Sequence, residues 1–155
     1  MSIGSRLTEL GITLPTVAAP VAAYVPAVRT GPYVWTSGQL PFVDGALPVT
    51  GKVGLGPGLV APDVAAGLAR TAALNALAAV AEQAGSLDRV KRVVKVVGFV
   101  ASDPSFTGQP TVINGASELL GQVFGEAGLH ARSAVGVAVL PLDSPVEVEL
   151  VVELS

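Results

Sequence analysis

The sequence predicts an α+β domain: one mainly antiparallel sheet with two helices packed on one face. Three observations predict it. Val-rich segments of period two occur over residues 24–37, 90–101 and 132–153. Two stretches of helical spacing, residues 63–84 and 107–125, separate them, and no linker divides the 155 residues. Half of the residues are hydrophobic and only 14% are charged, which excludes intrinsic disorder and implies that other copies cover part of the surface. Residues 1–155 read as one domain, with an N-terminal helix and connector over 1–20 and a core over 21–155.

The elements follow in order. Ser2 can cap an opening helix over residues 2–10, with Leu7 and Leu10 as its apolar side and Gly11 as its stop. Pro15 and Pro20 bracket a connector. Tyr24–Arg29 reads as a strand that Pro26 confines to an edge or a bulge. Thr30-Gly31-Pro32 turns it into a second strand, Tyr33–Ser37, and a third short strand is expected over Ala46–Val49 after the Asp44-Gly45 turn. A Gly-rich loop fills 50–60. The long helix, Asp63–Ala84, carries an apolar stripe of Val64, Leu68, Ala72, Leu77 and Val80 and ends at Gly85.

Val90–Ala101 is a long strand with Lys91 and Lys95 on one face, and Ser102-Asp103-Pro104 breaks it. A second helix spans Thr107–Gly125. Arg132–Val139 and Val146–Glu153 are the final strands, read as a pair joined by Pro141–Pro145. Alternation places Ser133, Val135, Val137 and Val139 under the helices together with Val146, Val148, Leu150 and Val152. Arg132, Ala134 and Gly136 then share the opposite face with Glu147 and Glu149.

Several chemistries are excluded. There is no Cys, so disulfides, thiolate nucleophiles and cysteine-based zinc sites are impossible, and a single His, His130, rules out a multi-histidine metal site. Gly45–Val53 is not a phosphate loop, because it has one residue too many between its glycines and Val53 stands where the Mg²⁺ ligand belongs. Gly54-Leu55-Gly56-Pro57-Gly58 lacks the dinucleotide spacing. No nucleophile elbow accompanies His130, which reads as an ordinary loop histidine. The basic cluster Arg89, Lys91, Arg92 and Lys95 has no aromatic platform, and the net charge is −3, so no nucleic-acid partner is expected. The window Val64–Ala81 carries Arg70 and Asn75; Arg at a bilayer centre costs about 2.5–3.5 kcal/mol, so no membrane partner is expected either. With no basic stretch ahead of an apolar run in Met1–Leu14, the expected location is cytoplasmic.

Two residues remain as candidates for chemistry, beside the plainer reading of an ordinary Arg–Glu pair on a sheet. Arg132 enters a strand followed by small residues, and its planar guanidinium suits bidentate capture of a carboxylate. Glu147, on the other strand of the supposed pair, is of the type that directs water or moves a proton.

The stretch Arg132-Ser133-Ala134-Val135-Gly136-Val137-Ala138-Val139-Leu140-Pro141, followed by Val146-Glu147-Val148-Glu149, resembles the C-terminal signature of the RidA/YjgF family. Thr36-Ser37-Gly38-Gln39-Leu40-Pro41 is similar to its early Ser-Gly-Gln motif, and Leu74, Asn75, Phe99, Val100 and Asn114 fall in matching order. The likeness covers roughly residues 20–153. It implies a chorismate-mutase-like fold, a homotrimer with sites between subunits, and cofactor-free hydrolysis of reactive 2-enamines and 2-imines to 2-keto acids and ammonia, a form of metabolite damage control. By position it implies that Arg132 holds the substrate carboxylate and Glu147 directs water. Tyr24, Ser37, Gly38, Phe99 and Asn114 would line the pocket, and Ala134 would contribute backbone where the family often has Cys. The context Ala22-Ala23-Tyr24 lacks the family's usual Gly-Pro before the Tyr. The alternative from another class is a trimeric module that binds small carboxylates without turnover. If the last two strands pair, Glu147 faces Ala138 and Arg132 faces Glu153, about 20 Å apart at about 3.3 Å per residue, so the expected site takes these residues from different copies.

Overall fold

Ser2 caps the first helix, α1 (Ile3–Glu9), its Oγ accepting the Ser5 N–H, and Gly11 at φ 66° turns the chain out of it. The structure, a computed structural model, describes residues 1–17, 19 and 23–155; the connector's Pro20 and the Ala22 before Tyr24 lie outside them. Leu7 buries the apolar side of α1, and the Arg6 Nε donates to the Gln122 carbonyl at 2.8 Å.

β1 (Ala27–Thr30) and β2 (Tyr33–Thr36) form the expected hairpin, with Thr30 opposite Tyr33 and Ala27 opposite Thr36. Ladder pairing starts at Ala27 rather than Tyr24. Pro26 has no N–H to give, and only its carbonyl joins, accepting from Ser37 at 2.8 Å. No strand forms over Ala46–Val49. Asp44 and Gly45, at φ 51° and 81°, make a tight turn that supports one bridge, Val43 to Ala46, and Pro48 then denies a further ladder a donor. The Gly-rich loop that follows is pinned at Val53, which bridges to both Val60 and Ser102.

The long helix, α2 (Pro62–Ala84), starts with Pro in its first turn and stops at Gly85 in the left-handed conformation. Its buried side is built on Ala65, Leu68, Ala69, Ala72, Ala76, Leu77 and Val80, so Val64 lies outside the stripe and is exposed. α2 is long and apolar enough to cross a membrane, and 61% of its most apolar window is buried within the domain.

The other elements are β3 (Val90–Ala101), α3 (Gln109–Phe124), β4 (Ala131–Val137) and β5 (Val146–Leu154). The strand order is β1-β2-β5-β3-β4, antiparallel except for β3 with β4. The sheet is therefore mixed, and the supposed β4–β5 pair does not exist. β3 lies between them, and α3 is the crossover that parallel β3 and β4 require.

This order reverses the predicted faces of β4. Parallel partners share a face, and Arg132, Ala134 and Gly136 sit beside Val96, Gly98 and Val100, which point toward the helices. Small residues go there because α3 lies close. A Cβ at Gly98 would meet Ile113 side-chain atoms at 2.5 Å, and one at Gly136 would meet the Gln109 Nε2 at 2.7 Å. Ser133, Val135 and Val137 turn instead to the open face, where Val135 is 44% exposed. The β5 reading holds: Val146, Val148, Leu150 and Val152 are buried beneath α2. The helices also pack tightly on each other, since a Cβ at Gly115 would lie 1.9 Å from the Ala66 carbonyl oxygen.

Candidate active site

On the open face, Glu147 sits on β5 opposite Phe99 of β3. The segment after β2 is laid across its start. Gln39 pairs with Val148 by two backbone hydrogen bonds of 2.8 and 3.0 Å, which brings Gly38 over the Glu147 carboxylate. Glycine is needed for that approach: a Cβ at residue 38 would fall 1.7 Å from Glu147 Oε1. The Asn75 amide on α2 holds the following residues in place by donating to the Leu40 and Phe42 carbonyls at 2.9 and 3.1 Å. The Ser37 hydroxyl donates to the Val25 carbonyl at 2.6 Å, fastening the segment that carries Tyr24, whose side chain is exposed. Burial raises the Glu147 carboxyl above the ordinary carboxylate range, and the negative charge of Glu149 adds to the effect. Burial likewise raises Glu149.

Arg132 lies on the other side of the sheet. Its Nη1 donates to the Asn114 Oδ1 at 2.8 Å and to the Ser117 Oγ at 3.2 Å, both on α3. Ser117 is also 2.9 Å from the His130 Nε2, and the His130 Nδ1 is 2.6 Å from the Gly128 carbonyl. Ala134, two residues beyond Arg132, points the same way and packs against the core.

The predicted residues thus fall into two groups. Glu147, Gly38, Phe99 and Ser37, with Tyr24 tethered nearby, occupy one end of the open face, whereas Arg132, Asn114 and Ala134 occupy the α3 side of edge strand β4. In register, Arg132 stands level with Val96 and Glu147 with Phe99, three positions along and two strands across. That is about 10 Å in each direction, and the two side chains leave opposite faces. The hairpin geometry expected for them is wrong, and within one chain they do not share a pocket.

Ser117 and His130 were not singled out as site residues. The signal was present: Ser117 lies one helical turn from Asn114, and His130 lies two residues before Arg132, on the same side of the chain. A cavity of about 870 Å³ opens between the connector, residues 42–45 and α2, lined by Leu14, Phe42, Asp44, Thr71 and Asn75 among others. None of the predicted site residues faces it. Among the described residues no three His, Cys, Asp or Glu side chains cluster as metal ligands.

A profile described as "YjgF/chorismate_mutase-like, putative endoribonuclease" matches residues 4–154. The chain belongs to this YjgF family. Protein TCP17 of Trypanosoma cruzi is 47% identical over 154 residues, 99% of this chain and 94% of its own. The crystal structure of a putative endoribonuclease from Shewanella oneidensis superposes with a TM-score of 0.94 at 35% identity, over 99% of this chain and all of its own. Escherichia coli TdcF, solved with bound serine, superposes at 0.66 with 25% identity, over 92% of this chain and 96% of its own. The YjgF match takes in both groups of candidate residues and the N-terminal helix as well.

Proposed function

We propose that this protein hydrolyses small reactive 2-imino acids and their enamine tautomers to 2-keto acids and ammonia, without a cofactor. One observation carries the reading: an Arg guanidinium is held by α3 at the edge strand, and a half-buried carboxylate raised by burial lies on the open face, at the two residues that the likeness to the family signature singled out. A carboxylate anchor and a water-directing base are the two groups that imine hydrolysis needs. A relative that holds serine supports a ligand of amino-acid size.

The chemistry balances with these groups. A water oxygen adds to the C=N carbon as the C=N π pair moves to nitrogen, and the Glu147 carboxylate takes the water proton. Glu147 returns that proton to nitrogen, the carbinolamine hydroxyl proton follows it to nitrogen through the same carboxylate, and ammonia leaves with the C–N bond pair as the C–O bond becomes the keto carbonyl. Arg132 offsets the substrate carboxylate throughout. Because the two residues leave opposite faces of one sheet, we propose that copies of the chain assemble, as a trimer, with Arg132 of one copy and Glu147 of the next in the same cleft. The uncovered open face favours such assembly, since Trp35 is 53% exposed and lies beside the exposed Val28 and Tyr33 on that face.

The names of relatives point to RNA cleavage. A net charge of −3 and a lone His, engaged by Ser117 and Gly128, speak against it here. A module that binds carboxylates without turnover would use Arg132 in the same way but has no need for Glu147. The test couples a pyridoxal-phosphate dehydratase to the purified protein and follows keto-acid release, with semicarbazide trapping the remaining imine. Acceleration that disappears in Arg132→Ala and in Glu147→Gln supports the deaminase. No acceleration with several amino-acid-derived imines, together with retained keto-acid binding, favours the binding module.

A further inference from the structure

Arg132 does not reach its position unaided. Its Nη1 spends both hydrogens on α3, one on Asn114 and one on Ser117. Among the described residues its Nε and Nη2 groups make no hydrogen bond, so that edge of the guanidinium is the one left for a ligand. Ser117 has one proton, and a serine inside a helix commonly gives it to a carbonyl one turn back or to water. Here the partner is His130.

The direction of the chain follows from its far end. A carbonyl oxygen can only accept, so the His130 Nδ1, 2.6 Å from the Gly128 carbonyl, carries hydrogen. In the neutral ring Nε2 is then a bare lone pair, and Ser117 Oγ–H donates to it at 2.9 Å. The Ser117 oxygen is thereby turned to accept from Arg132 Nη1. Gly128 is buried against α3, where a Cβ would lie 2.3 Å from the Leu120 carbonyl oxygen, so the carbonyl that orients His130 is fixed to the helix that carries Asn114 and Ser117.

We propose that Ser117 and His130 are positioning residues for Arg132. They hold the guanidinium with its open edge toward the ligand and so make the site selective for a carboxylate over the isosteric neutral amide. This rests on the reading of Arg132 as the carboxylate anchor. A bidentate guanidinium–carboxylate pair depends on the angle of the fork, whereas a single bond to an amide oxygen tolerates its rotation.

The experiment measures pyruvate and pyruvamide binding by calorimetry and takes the ratio of the two affinities. The wild type favours pyruvate. Ser117→Ala and His130→Leu each lower that ratio about ten-fold, the equivalent of about 1.4 kcal/mol. The double variant falls no further than either single one, because both changes break one chain. Ser117→Thr keeps the hydroxyl, and His130→Gln places an acceptor oxygen near the Nε2 position, so both hold the ratio near that of the wild type. A general loosening of the fold would weaken both ligands alike and leave the ratio unmoved. If Arg132→Ala abolishes the preference while Ser117→Ala and His130→Leu leave it intact, the positioning role is refuted and the anchor stands. If Arg132→Ala keeps the preference, or the wild type has none, the anchor reading fails and the positioning role falls with it.

Discussion

Gly38→Ala isolates the geometry of Glu147 from the stability of the fold. The added methyl would lie 1.7 Å from the Glu147 Oε1 and 2.7 Å from its Cδ, against ordinary contacts of 3.4 Å or more. The atoms in the way are the end of a flexible side chain, so the carboxylate retreats by roughly 1.7 Å while the backbone stays. Gly38 is not in the left-handed region, so alanine fits its backbone and stabilises the chain by about 0.4–1 kcal/mol through the unfolded state. A displacement of about 1 Å at a reacting group costs about 100-fold in rate, which corresponds to about 2.7 kcal/mol of barrier. The expected variant has an unchanged or slightly higher melting temperature and a kcat lower by about 100-fold in the dehydratase-coupled assay. Glu147→Gln and the double variant complete the cycle. If the methyl acts through the carboxylate, the double variant is no slower than Glu147→Gln alone. Full turnover in Gly38→Ala, or losses that multiply in the double variant, would refute the argument that Gly38 serves to seat Glu147.

Three further outcomes are expected. The folded pKa of Glu147 is raised, so its ionisation opposes folding increasingly as pH rises from the unfolded value of about 4.3 through the folded one; Glu147→Gln therefore melts higher than wild type at pH 7, and the gap closes as pH falls to about 4, as differential scanning calorimetry at the two pH values would show. Mixing unfolded Arg132→Ala and Glu147→Gln chains in equal amounts and refolding them recovers about one quarter of wild-type turnover if each site takes Arg132 from one copy and Glu147 from its neighbour in a closed ring, whereas a site within one chain recovers none. Gly115→Ala drives a methyl to 1.9 Å from the Ala66 backbone carbonyl, where no side chain can move aside, and lowers stability by about 1–3 kcal/mol or more in urea denaturation.

The sequence was most legible where information is local. The caps at Ser2 and Gly85, the hairpin turn at Gly31 and the full extent of β3 follow from residue chemistry and period alone. Strand order was not legible, because the neighbours of a strand are set by long-range packing. The run Ser133-Ala134-Val135-Gly136-Val137 alternates equally well in either orientation. Larger residues inward is the usual inference; close packing of α3 on Gly98 and Gly136 decided the opposite. Arg132 and Glu147 could be picked out as candidates by residue chemistry, but Tyr24, Ser37, Gly38, Phe99, Asn114 and Ala134 were visible only through family likeness, since no local rule marks them. The Ser117–His130 contact was hidden by separation across the end of a helix, and a single histidine invites dismissal as a loop residue.

The position of β5 has a consequence for how the molecule is made. It is the last of the five strands to leave the ribosome, yet it lies in the middle of the sheet, between β2 and β3. Until it arrives, the β1–β2 hairpin and the β3–α3–β4 unit have no strand to join them, and the inner edges of β2 and β3 stand open. Those edges, Tyr-Val-Trp-Thr on β2 and a Val-rich run on β3, are templates for pairing with other nascent chains. The growing polypeptide must therefore wait with both halves apart, and a message truncated before residue 146 yields an aggregating product rather than a smaller working one. Closure is a single late insertion that joins distant parts of the chain, which makes folding slow relative to a helical protein of this length.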